Sequence, residues 1–132
     1  MSETPHRGSC LCGAVVYEVH GPLRNVIACH CTQCRKQTGH FMAATSARPD
    51  DFVLVSATHL RWYQSSATAE RGFCGQCGSV LFWRSAARPE ISITAGTLDN
   101  PTGLTTEGHI FCADKGDYYD IPVEGYRREQ WQ

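Results

Sequence analysis

The chain has 132 residues, 42% of them apolar and 19% charged, with a formal net charge of −1. That length suits one domain able to bury its own core. The charge balance gives no support to the basic stripe that a nucleic-acid or anionic-membrane surface calls for, and no apolar run approaches a bilayer span.

The opening residues, MSETPHRG, contain no apolar h-region, so no signal peptide is expected and the protein is expected to be cytoplasmic. Residues 1–7 read as a flexible polar tail and residues 8–132 as a single domain. In AVVYEVH (14–20), alternation sends Val15, Tyr17 and Val19 to one face. TQCRKQTG (32–39) is the best helix candidate, with Thr32 as its cap and Gly39 as its stop. DFVLVSA (51–57), RWYQSS (61–66), SVLFWRS (79–85) and EISITAG (90–96) are short, β-branched or aromatic, and bounded by turn residues. GHIFCAD (108–114) reads the same way, and twelve glycines with six prolines signal many turns. The expected fold is mainly β: several small antiparallel sheets with one or two short helical turns.

Eight cysteines dominate the chemistry: Cys10, Cys12, Cys29, Cys31, Cys34, Cys74, Cys77 and Cys112. Seven of them sit in three tight groups, whereas a disulfide scaffold spreads its cysteines out. In a reducing compartment such clusters point to metal or redox chemistry. Cys31/Cys34 and Cys74/Cys77 both have the C-x-x-C spacing that turns two sulfurs toward one zinc at about 2.3 Å. Gly75 and Gly78 can supply the positive φ such a turn wants. A zinc ribbon built from these two pairs leaves Cys10, Cys12 and Cys29 without partners. The more economical partition joins Cys10 and Cys12 with Cys74 and Cys77 in a closed four-sulfur site, and leaves Cys29, Cys31 and Cys34 as a second site. Spacing alone admits both partitions.

The motifs GSCLCGAVVYEV, CHCTQCRKQTG, RGFCGQCGSVLFWR, AGTLDNP and GHIF occur in an order and spacing that resemble the glutathione-dependent formaldehyde-activating enzyme family, to which the centromere protein V family is related. The resemblance runs from about Gly8 to Tyr126 and looks like the compact members of the family. It implies a β-tent of small coiled sheets clasped by zinc, so that residues 8–132 form one zinc-binding domain. It further implies structural zinc on Cys10, Cys12, Cys74 and Cys77, and catalytic zinc on Cys29, Cys31 and Cys34. Two Zn²⁺ per chain are therefore expected, with glutathione as co-substrate, formaldehyde as the aldehyde, and carbon–sulfur lyase chemistry.

A three-cysteine zinc has a chemical logic of its own. Three protein ligands leave the fourth position for water or substrate. Three thiolates overcompensate the ion's charge, which makes a poor water activator and suits a soft ligand such as an external thiol. A thiolate held there is a nucleophile toward a small carbonyl, and the reverse reaction breaks a C–S bond. Zinc deaminases also use several cysteines, but they need an H-x-E glutamate and a proline before C-x-x-C, and neither is present.

The remaining candidates are less specific. His30, between two ligands, reads as a side chain pointing outward from the knuckle, with fourth ligand or proton relay as its functional alternative. His109 is a candidate for the pocket or the core, and Arg35 and Lys36 for a solvated face or for attracting an anionic thiol. Phe82 and Trp83 read as core, and Cys112 as a small buried apolar residue. The contrasting function is a non-catalytic zinc-stabilised module that binds a thiol or a protein, its second site closed by His30, His40 or another ligand. The expected partners are a small thiol and a small aldehyde, with no nucleic acid and no membrane; a homo-oligomer is compatible with the sequence.

Overall fold

The computed structural model describes residues 4–131. In chain order its strands are β1 (His6–Ser9), β2 (Val15–Val19), β3 (Val26–Cys29), β4 (Met42–Ala47), β5 (Phe52–Ala57), β6 (Leu60–Gln64), β7 (Ala69–Cys74), β8 (Val80–Ser85), β9 (Arg88–Thr94), β10 (Thr106–Ile110) and β11 (Tyr126–Arg127). One α-helix, α1 (Thr32–Thr38), sits between β3 and β4. The architecture is mainly β, as the alternation of the sequence implies. Residues 1–3 of the expected tail lie outside the described residues, and β1 takes in its last two, His6 and Arg7. Among the described residues, no helix is long and apolar enough to cross a membrane.

Two sheets form, one of order β1-β2-β5 and one of order β11-β10-β3-β4-β9-β8-β7-β6. The alternation of β2 does what its pattern predicts: Val15, Tyr17 and Val19 are fully buried while Val16 and Glu18 are partly exposed. Phe82 joins the two sheets. Its ring meets Tyr17 at 5.4 Å and Phe52 at 5.3 Å edge-on, and stacks on Trp62 at 6.0 Å. Burying one such side chain contributes about 1.5–3 kcal/mol, so this cluster, with Leu81 and Ile93 beside it, anchors the interior.

Strands β3, β4 and β7 were not signalled by alternation, for a physical reason. Their residues are VIAC, MAATSA and AERGFC, with burial on both faces, and strands buried on both sides lose the period of two. The ladders of β10 also depart from the antiparallel expectation. β10 runs parallel to β3, with His109 opposite Ala28 and Ile110 opposite Cys29, and parallel to β11. Parallel pairing needs a long connection: about eighty residues separate β10 from its β3 partners and eighteen separate it from β11.

The expected strand 108–114 stops at Ile110. Phe111 adopts φ 54°, a region non-glycine residues rarely occupy, and Cys112–Asp114 form a 3₁₀ turn. The chain end secures this turn. Arg128 N–H donates to His109, Phe111 N–H to Gln130, Cys112 N–H to Arg128 and Ala113 N–H to Glu129, at 2.9–3.2 Å.

Candidate metal centres and the cavity between strands

The loop after β1 and the β7–β8 turn bring Cys10, Cys12, Cys74 and Cys77 together, every sulfur within 4.8 Å of the others. Cys12 Sγ lies 3.7 Å from both Cys10 Sγ and Cys74 Sγ. A tetrahedral zinc with bonds of about 2.3 Å would set its sulfurs about 3.8 Å apart. Backbone donors converge on the same atoms: Val15 N–H on Cys10 Sγ at 3.3 Å, and Gln76 and Cys77 N–H on Cys74 Sγ at 3.4 Å. Such donors favour thiolates. The Ser79 hydroxyl and N–H do the same for Cys77, bringing its pKa down to about 5, and Ser79 Oγ also accepts from Leu11 N–H at 2.9 Å. Gly78 takes φ 82° in this turn, as expected. Gly75 does not take a positive φ, and a Cβ there would meet only the exposed Arg61 side chain, which can move aside.

Cys29 ends β3, Cys31 precedes α1 and Cys34 lies in its first turn; their three sulfurs also lie within 4.8 Å of one another. The helix cap is Cys31, not Thr32: Cys31 is extended, and its Sγ accepts from Cys34 N–H at 3.3 Å. A sulfur is thus both cap and candidate ligand. Hydrogen bonds from the Cys29 and Cys34 thiols hold Cys31 well below the ordinary thiol range, and those same contacts push Cys29 up. Three crowded sulfurs with no cation among them cannot all ionise; a divalent ion would let them. Arg71 supplies part of that charge. It is 6% exposed, and its Nη1 donates to Cys34 Sγ at 3.6 Å and to Gln37 Oε1 at 3.0 Å. Both clusters therefore fit zinc, one as a full tetrahedral set and one short of a ligand.

Among the described residues, no histidine joins either cluster. His30 turns away from the sulfurs, but inward rather than outward, and is 1% exposed. Its Nδ1 meets Tyr119 Oη at 2.8 Å and its Nε2 meets His109 Nδ1 at 3.0 Å. His109 is accordingly a satisfied buried histidine. His40 is exposed and packs on Phe41 and Tyr119. Cys112 is buried and apart from both clusters, as expected.

A cavity of about 520 Å³ opens beside the three-cysteine group, and Cys29, Cys31 and Cys34 line it. None of the other four clustered cysteines does. Trp83, expected in the core, lines this cavity, while its neighbour Phe82 faces the core; successive strand residues face opposite sides. The basic residues that reach the cavity are Arg24, Arg71 and Arg88, not Arg35 and Lys36. Sequence reasoning missed all three. Arg71 alone left a trace, as a charge on a short strand entering the FCGQC knuckle.

The glutathione-dependent formaldehyde-activating enzyme family model matches residues 5–114, and the chain belongs to that family. A Halomonas elongata protein provisionally named a glutathione-dependent formaldehyde-activating enzyme is 30% identical over 127 residues, covering 86% of this chain and 79% of the relative. A Schizosaccharomyces pombe protein named as an uncharacterised lyase is 27% identical over 117 residues, covering 88% of this chain and 85% of the relative. A crystal structure of a Rhodobacter sphaeroides protein is similar with a TM-score of 0.60 and 31% identity, over 78% of this chain and 98% of that one.

Proposed function

We propose that the protein is a zinc-dependent carbon–sulfur lyase that forms and cleaves the adduct of glutathione with formaldehyde, S-hydroxymethylglutathione. The carrying observation is the asymmetry of the two clusters: the three-cysteine group lines a cavity and the four-cysteine group does not. Cys10, Cys12, Cys74 and Cys77 would hold a structural zinc, and Cys29, Cys31 and Cys34 the second. Zinc bound at the three-cysteine group would supply an open position where an external thiol gives up its proton. The glutathione sulfur adds to the carbonyl carbon of formaldehyde, the C=O electron pair passes to oxygen, and that oxygen takes a proton. The reverse breaks the C–S bond and releases both substrates. Arg71, against Cys34, offsets the negative charge gathered there.

Eight free cysteines and the small substrates suit the reducing cytoplasm, and residues 8–132 would act as one zinc-binding domain. NMR exchange spectroscopy on formaldehyde, glutathione and their adduct tests the activity. Zinc-loaded protein should speed interconversion above the uncatalysed rate, and Cys34→Ser should remove the acceleration. Equal rates with and without protein would leave a non-catalytic module.

A further inference from the structure

We propose that Trp131, delivered by the C-terminal segment 126–131, walls the thiol pocket and that Arg88, held against Trp131, receives a carboxylate of the incoming thiol. The inference rests on the reading above in one respect, that an external thiol enters this cavity.

The family match ends at residue 114, so this segment is outside it. Its backbone runs along β10 and the turn that follows, through hydrogen bonds to residues 109–113. That course delivers Trp131 to the cavity, where its ring lies 4.0 Å from the Arg88 guanidinium carbon. Trp131, Arg88 and the three cysteines all line the same space.

Charge and size indicate what the space takes. Three arginines, Arg24, Arg71 and Arg88, line it against one acidic residue, Asp114. Two of them are already engaged. Arg24 donates to the carbonyls of Asn25 and Ala44 at 3.0 and 2.8 Å, and Arg71 to Cys34 and Gln37. Among the described residues, Arg88 makes no salt bridge, and Trp131 is its close partner. A guanidinium stacked on an aromatic face keeps its N–H groups for a carboxylate and loses little freedom on binding one. A cavity near 520 Å³ is far larger than formaldehyde needs and falls in the usual range for small-molecule sites, about 300–1,000 Å³. The ligand class is a peptide-sized thiol bearing carboxylates.

The test titrates S-methylglutathione, which keeps both carboxylates but has no thiol proton to lose, into the zinc-loaded protein and follows the Trp131 indole N–H resonance. A saturable shift is expected, with Arg88→Met weakening binding about tenfold, the loss of one charge-assisted contact. In cobalt-substituted protein, Trp131→Leu should weaken glutathione by a comparable factor and leave 2-mercaptoethanol, which has no carboxylate, unchanged. An unmoved Trp131 resonance overturns the proposal. So does unchanged S-methylglutathione affinity in Arg88→Met with a lowered unfolding midpoint, because the pair then only pins the chain end. If glutathione leaves the cobalt spectrum unchanged while S-methylglutathione still binds through Arg88, the carboxylate pocket stands and the lyase reading fails.

Discussion

His30 shows how a residue inside a metal-binding motif can serve the fold. Its neighbours Cys29 and Cys31 turn their sulfurs to one side, and the imidazole fills a buried slot on the other, bonded to Tyr119 and His109. Burial, followed by the proximity of His109, lowers its pKa to about 4. A histidine in the unfolded chain titrates near 6.5. Between about 6.5 and about 4 the unfolded state binds a proton that the folded state refuses, so this site's contribution to stability is complete above the window and declines as pH falls through it. Imidazole nitrogen shifts at pH 5.5 should report His30 as neutral. Half-protonation near 6.5 would mean that the Tyr119–His30–His109 chain is not formed in solution. Arg71 is a second residue whose role is set by surroundings. A buried guanidinium is costly unless paired, and this one is held by Cys34 Sγ and Gln37 Oε1 beside the three sulfurs, where its positive charge favours thiolate in the group.

At the scale of elements, the ladder between β10 and β11 matters most, because it fixes the course of the chain end toward Trp131. Gly108 is the close approach in that ladder: a Cβ there would meet the Tyr126 ring at 2.5 Å. Gly108→Ala should therefore push β11 away and cost about 1–3 kcal/mol, the usual penalty of overpacking. Hydrogen exchange should speed at the Arg128 and Phe111 amides, whose partners lie across this ladder, while β2 amides stay protected. Uniform protection would show that the tyrosine yields without moving the strand. The elements also divide by legibility. β2 and α1 could be read locally, from alternation and from the Gly39 stop. β3, β4 and β7, small-residue strands buried on both faces, could not. Nor could the parallel pairing of β10 with β3, which depends on segments far apart in sequence.

Over the whole molecule, the two clusters sit in different places, one between the sheets and one beside the cavity. The four-cysteine group ties the loop between β1 and β2 to the β7–β8 turn, and hence one sheet to the other. Metal bound there would be folding energy, so Cys74→Ser should give a protein that is largely unfolded by circular dichroism. Cys34→Ser should stay folded and retain one zinc. The reverse pattern would exchange the roles of the sites. The spacing of the cysteines made both groups accessible from sequence, although it left the ribbon partition open until the loops were placed in space. The cavity was hidden, because Arg24, Arg71, Arg88 and Trp131 come from four distant segments and none belongs to a local pattern.

The proposed chemistry requires the three-cysteine site to take an external thiolate. Titrating glutathione into cobalt-substituted protein tests it most directly, because sulfur-to-cobalt charge-transfer bands report each added thiolate. A saturable rise in those bands is expected, and Cys34→Ser should abolish it. Bands indifferent to glutathione and to smaller thiols alike would mean a closed site and contradict the proposed chemistry.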